Sequence, residues 1–195
     1  MKWMYLLLCS IFFYACEAQK NQNKAKMEKF NIQEFNAKKS GGEYTRTTDD
    51  GTVITSFGNE SGYYEKSFPR EGWFYTYKEF YGNGNLKQQG TLFRKGDYQA
   101  GVWTDYDMAG NKIKETDFDK PYHLTIESIF KIMKDKKIKF LVTDAFNAVT
   151  RTVVNTRPVW FIKWKEKQDR VERLEIDDAS GKIIKQDFYT HQENN

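Results

Sequence analysis

The chain has 195 residues, 39% hydrophobic and 16% aromatic, with 31 Lys and Arg against 27 Asp and Glu. That is enough apolar material for one sizeable core or two small ones, while only two cysteines exclude a disulfide-stapled scaffold. A net charge of +4 with both signs interspersed lacks the concentrated basic face that nucleic-acid binding needs, so no nucleic-acid partner is expected.

Residues 1–16 read as a targeting segment. Lys2 precedes the apolar run from Leu6 to Phe13, which has the length of a secretory signal and is too short to span a bilayer as a mature helix. The segment closes on Phe13-Tyr14-Ala15-Cys16, which resembles a bacterial lipobox. The resemblance implies that Cys16 becomes an acylated N-terminus and anchors the protein to the cell envelope, where more than one chain is needed for durable attachment. The alternative is ordinary cleavage after Ala15 or Ala18, with Cys16 an incidental thiol. With Cys9 discarded and Cys16 acylated, the mature domain has neither a disulfide nor a thiol nucleophile.

Residues 17–42 are rich in Lys, Asn and Gln, with few apolar side chains before Phe30, a composition that reads as a flexible tether. A weak helical register at Met27, Phe30, Ile32 and Phe35 offers a way to dock on the domain. Lys20, Lys24 and Lys26 stand where an acidic run would signal surface display, so the expected location is the outer membrane, facing the periplasm.

Residues 43–120 read as a ladder of antiparallel β-hairpins. Thr45, Thr47, Thr52, Val53, Ile54 and Thr55 have β-branched strand character around Asp49-Asp50-Gly51, where Asp-Gly is a hairpin signal. The stretch Tyr77 to Lys87 carries aromatic residues, then Asn83-Gly84, then Leu86; Trp103 to Lys114 repeats the order around Gly110-Asn111 about 26 residues on, the spacing of a stacked supersecondary repeat. The Asn-Gly pair predicts a two-residue turn with positive φ at both positions, and Lys112 reads as a one-residue insertion in the second copy.

Trp73, Tyr75, Tyr77 and Tyr81 share one strand face at a period of two. Together with Trp103 they are the candidate partner-binding residues, since Trp and Tyr carry interface hot spots; filling the core is the competing use. Asp105-Tyr106-Asp107 has metal-pair spacing, but no further oxygen ligands accompany it, and neither a metal nor a cofactor is expected.

The glycine and aromatic positions from Phe80 to Glu115, with Gly90, Gly96 and Gly101-Val102-Trp103 between the two turns, resemble the MORN-repeat variant of YwqK-type antitoxin proteins over residues of about 72–118. The resemblance implies a β-hairpin scaffold and an immunity-like role.

Residues 121–195 change texture. Thr125 can cap a helix whose apolar positions Ile126, Ile129, Phe130 and Met133 follow helical spacing. Strand-like runs follow at 150–154, 159–164, 171–177 and 182–189, with a tight turn at Asp177 to Lys182. Ile176-Asp177-x-x-Ser180-Gly181-x-Ile183 together with Trp160 is similar to PepSY-like envelope domains. The fold class expected is therefore α+β, mainly β: a MORN-like hairpin ladder followed by a helix packed on an antiparallel meander.

Catalysis draws little from this sequence, and the protein is expected not to be an enzyme. The two histidines are His123, before the helix, and His191, in a polar tail, and no catalytic motif surrounds either. Glu175, Asp177 and Asp178 read as solvated turn acids. The expected function is a non-catalytic envelope lipoprotein that binds a protein partner, a toxin or another envelope protein, without a small-molecule substrate. The alternative is a PepSY-like module that modulates a peptidase or serves a structural role.

Overall fold

The computed structural model describes residues 28–141 and 143–190; the signal segment, Cys16 and His191 lie outside them. The protein is mostly β, with two antiparallel sheets and two helices among the described residues. Seven strands form the first sheet, in sequence order: β1 (Glu43–Thr47), β2 (Val53–Asn59), β3 (Gly62–Phe68), β4 (Phe74–Tyr81), β5 (Leu86–Phe93), β6 (Gln99–Tyr106) and β7 (Lys112–Asp117). Helix α1 (Ile32–Lys38) precedes this sheet, and helix α2 (Ile126–Asp135) follows it. The second sheet is a four-stranded meander of β8 (Ala148–Val154), β9 (Arg157–Lys167), β10 (Arg170–Asp177) and β11 (Ile183–Thr190).

Three of the first sheet's turns share one geometry, and it differs from the expected two-residue turn. In each, a glycine N–H donates to the carbonyl three residues back and the pair of residues flanking the loop closes the hairpin: Gly51 to Thr48, Gly84 to Tyr81, and Gly110 to Asp107, at 2.8–2.9 Å. Only the glycine takes positive φ, +82° in all three. This is the three-residue loop in which a type I turn is followed by a left-handed residue. Gly84 is thus equivalent to Gly110, and Asn85 to Asn111. With the glycines aligned, Lys112 stands opposite Tyr106 as Leu86 stands opposite Phe80, so the two loops have the same length, and what is displaced by one residue in the second copy is the aliphatic, Ile113.

Part of the expected tether is folded. Lys29 bridges to Asn85, and the Phe30 N–H donates to the Gly84 carbonyl at 2.8 Å. Asn31 caps α1 by accepting from the Glu34 N–H. Phe30 and Phe35 then bury themselves against Tyr63, Phe80 and Leu86, so the apolar residues at 30, 32 and 35 outweigh the polar composition around them. A side chain at Gly84 would put its Cβ 3.1 Å from the Phe30 carbonyl, which adds a packing reason to the conformational one.

A second, larger cluster crosses the boundary expected at residue 120. Phe93, Tyr98 and Ala100 from the first sheet share it with Ile126, Ile129 and Met133 of α2 and with Val149, Trp160, Ile162, Leu174 and Ile176 of the second sheet. The Val149 N–H donates to the Lys95 carbonyl at 2.7 Å, stitching β8 to the loop between β5 and β6.

Trp103 lies flat across Gly90. A Cβ built at Gly90 would fall 2.1 Å from the indole, and the indole N–H donates to the Thr91 carbonyl at 3.2 Å. Gly90→Ala therefore displaces the ring, and we expect a loss of about 1–3 kcal/mol from overpacking, read as a lowered urea midpoint with an unchanged m value.

Candidate functional site

The faces of the seven-stranded sheet differ in what covers them. Neighbouring residues on a strand point to opposite sides, so the pairs Phe80–Leu86 and Phe74–Phe93 lie on one face. That face is covered at one end by Phe30 and Phe35 and at the other by the cluster containing α2.

The opposite face carries a row of rings. Phe57 stacks on Tyr64 with centroids 5.2 Å apart, Tyr64 meets Tyr77 at 6.2 Å, Tyr77 stacks on Trp103 at 5.9 Å, and Trp103 meets Phe118 edge-on at 5.9 Å. The row crosses β2, β3, β4 and β6 and ends just beyond β7; β5 contributes Gly90 beneath the indole. The ring partners of these side chains all lie in the same sheet or directly after it. Lys66 sits over the Phe57 ring at 5.7 Å, and Gln88 donates to Asp105 at 2.6 Å beside the row. Burial, and then the negative charge of Glu79, pushes the Tyr77 hydroxyl up to about 12, so the surface is neutral at the row and charged at its margins.

The five ring residues singled out from sequence separate here. Tyr77 and Tyr81 are half-buried on the row's face; the Tyr81 hydroxyl donates to the Tyr106 carbonyl at 2.8 Å. Tyr75 and Trp103 are each only 4% exposed, Tyr75 being stacked on Phe68 at 4.5 Å and donating to Asp97 at 2.9 Å. Trp73 departs from the shared face: it sits in the bend before β4, and its ring packs against Phe93, Phe130 and Phe140 on the side of α2. Period-two counting fails for it because the strand starts one residue later. Phe57, Tyr64 and Phe118 are the row members that the sequence did not single out; for Phe57 and Tyr64, pairing the strands about the turn at Glu60-Ser61 is the signal that brings them together.

Asp105 and Asp107 do not act as a pair. Asp105 accepts from Gln88, whereas Asp107 turns into its own loop and accepts from the Asn111 N–H and Nδ2 at 2.8 and 2.9 Å. Among the described residues, no three His, Cys, Asp or Glu side chains gather where they could hold a metal.

The turn acids are corrected most clearly. Asp177 and Asp178 are buried, at 9% and 0% exposure, rather than solvated. The Asp178 carboxylate accepts from the backbone N–H groups of His123 at 2.7 Å and Leu124 at 3.0 Å, and from the Trp160 indole at 2.8 Å; His123 Nδ1 lies 3.0 Å away. Burial raises its pKa, but these donors outweigh burial and hold the carboxyl below the usual range. Asp177 accepts from Ser180 and Arg157 and closes the turn. The sequence signal was available: the acids occupy the opening positions of a glycine turn, where side-chain oxygens satisfy backbone donors.

His123 therefore has one carboxylate partner, and its side chain is 76% exposed. The ring is held at its Nδ1 edge by Asp178 and otherwise faces outward.

Nearby, the Arg151 guanidinium stands over Tyr98, Tyr122 and Trp160 at 4.5, 4.3 and 5.3 Å. It donates to the Gln99 carbonyl at 2.7 Å and to Asp119, linking β8 to the first sheet.

No family model, curated protein or solved structure matches this chain. The surfaces above are therefore read on their own chemistry.

Because Asp178 is held ionised, the stability it contributes is present above the ordinary carboxylate range near 4 and is lost as pH falls through its lowered folded value. Asp178→Ala leaves three buried donors without an acceptor, and we expect about 3–5 kcal/mol of destabilisation at pH 7. Asp178→Asn should flatten the acid limb of the stability profile, measured by urea unfolding between neutral and acid pH.

Proposed function

We propose that this protein is a non-catalytic, lipid-anchored envelope protein that grips a protein partner on the ring-bearing face of its seven-stranded sheet. The observation that carries this reading is the row Phe57, Tyr64, Tyr77 and Trp103, which crosses the sheet on the face opposite the two core clusters, with Phe57, Tyr64 and Tyr77 half-buried and Trp103 seated beneath them. Half-buried Tyr rings on a rigid backbone supply contact area at low conformational cost, and charged margins at Lys66, Glu79 and Asp105 suit a polar rim. The three like turns at Gly51, Gly84 and Gly110 support a MORN-like repeat scaffold, and with it an immunity-like role in which the face occludes a toxin that reaches the periplasm.

Attachment through Cys16 belongs to the same reading, with the chain held at the outer membrane facing the periplasm. No helix among the described residues is long and apolar enough to cross a membrane, and anchorage in this reading rests on acyl chains. Labelling with a palmitate analogue should mark the wild-type protein and not Cys16→Ala; equal labelling would remove the anchor from the proposal.

A second reading, a PepSY-like module that modulates a peptidase or has a structural role, draws on one observation. Trp160 and the turn after Ile176, the residues that carry that resemblance, are joined by the indole's hydrogen bond to Asp178. The ring face favours the first reading.

The test is co-purification from envelope extracts with wild type and with the double variant Tyr64→Ser, Tyr77→Ser. Both rings are half-buried, so the fold should survive, checked by far-UV circular dichroism. Recovery of the partner should drop at least about tenfold, in keeping with the loss of two hot-spot rings. Rescue of a toxin's effect by wild type and not by the variant would assign the immunity role, and undiminished recovery by the variant would discard the ring face.

A further inference from the structure

A cleft of about 290 Å³ opens between the first sheet and the start of α2, away from the ring row and independent of the reading above. Three features set its chemistry. First, Arg151 lines it with a side chain only 5% exposed, and its buried Nε has no hydrogen-bond partner. Its bonds run through Nη2 alone, to Gln99 and Asp119. Buried donors are nearly always paired, and Arg presents five of them, so this guanidinium retains donor capacity that the chain does not fill.

Second, the first residues of the ten-residue helix α2, with Thr125 before them, line the same cleft. A helix start presents free N–H groups and a partial positive charge. Third, two carboxylates, opposite in sign to the guanidinium and the helix start, also line the cleft. Asp119 is 56% exposed on its side chain, and the hydrogen bond from Thr125 holds the Glu127 carboxyl below its ordinary value. Both signs meet at the Tyr98 hydroxyl in the wall. Burial raises its pKa, Arg151 opposes that, and Asp119 and Glu127 add to it.

We propose that this cleft binds a free α-amino acid with an aliphatic side chain. Its carboxylate turns to Arg151 Nη1 and the first turn of α2, its ammonium to Asp119 and Glu127, and its side chain to the apolar wall of Phe74, Leu124 and Ile126. The mixture of signs selects this class. A plain anion would meet two carboxylates, and a plain cation would meet a guanidinium and a helix start; a zwitterion satisfies both. The volume lies at the small end of ligand sites, where a few polar groups among apolar walls fix orientation. This departs from the expectation, drawn from sequence, that no small molecule binds.

The test is isothermal titration of the full chain with leucine, N-acetyl-leucine and leucinamide. Leucine should bind, and each blocked derivative should bind at least about tenfold more weakly, a difference of about 1.4 kcal/mol. Arg151 and its partner Asp119 also hold the two sheets together, so the diagnostic variant is Glu127→Gln, outside that link. It should lose leucine affinity by a similar factor while N-acetyl-leucine, an anion, binds no more weakly, a selectivity that general loosening of the fold would not produce. Failure of leucine to bind, equal binding of all three compounds, or unchanged leucine affinity in Glu127→Gln would each overturn the assignment.

Discussion

The Asp178 carboxylate is fully enclosed, and everything around the start of α2 takes its position from it. Two of its donors are backbone N–H groups at His123 and Leu124, immediately before the Thr125 cap. A third is the indole of Trp160, in the first half of β9. Burying a carboxylate in apolar surroundings costs several kcal/mol unless donors replace its water; here three N–H groups do so, and they come from two separate parts of the chain. The turn between β10 and β11, the middle of β9 and the entry to the helix are thereby fixed at one point. The rings that surround Arg151 depend on that point too, because Tyr122 lies one residue from the anchored backbone and Trp160 is itself a donor.

Arg151 does the corresponding work across the sheets. Its bond to the Gln99 carbonyl and the backbone bond from Val149 to Lys95 attach β8 to the first sheet. Tyr98, which the guanidinium covers, sits in the common core. An arginine is suited to this place because its planar, weakly hydrated head stacks on rings while still donating at its edge. The residues expected to form two domains thus share one interior, and the smaller cluster around Phe30 and Phe35 closes the far end of the first sheet.

Much of this architecture was legible in the sequence, for physical reasons that differ by element. The strands of the first sheet announce themselves through β-branched and aromatic alternation, and α2 through Ile126, Ile129 and Met133 with a Thr cap. Turn identity was less legible: Asn83-Gly84 has two readings, and the choice of the three-residue loop is made by hydrogen bonds between Tyr81 and its partners, which spacing does not encode. The N-terminal docking was hidden because composition averages over Phe30 and Phe35. The burial of Asp178 was hidden because a glycine turn looks the same in water or against a helix start. The ring row was half legible: Tyr77 and Tyr81 follow from alternation, whereas Phe57 and Tyr64 need the pairing of β2 with β3, and Trp73 is withdrawn from the row by the bend before β4.

The meander order of both sheets bears on how the chain reaches this structure. Every strand pairs only with strands next to it in the chain, so each hairpin closes a short loop and loses little chain entropy in doing so. The distant encounters left over include the seating of residues 28–38 on the far end of the first sheet, the meeting of β8 with the loop after β5, and the capture of the His123 and Leu124 N–H groups by Asp178. In a polypeptide wired this way the ribbons are local and the long-range joins rest on a handful of bonds, among them those at Lys95, Gln99, Gly84 and Asp178.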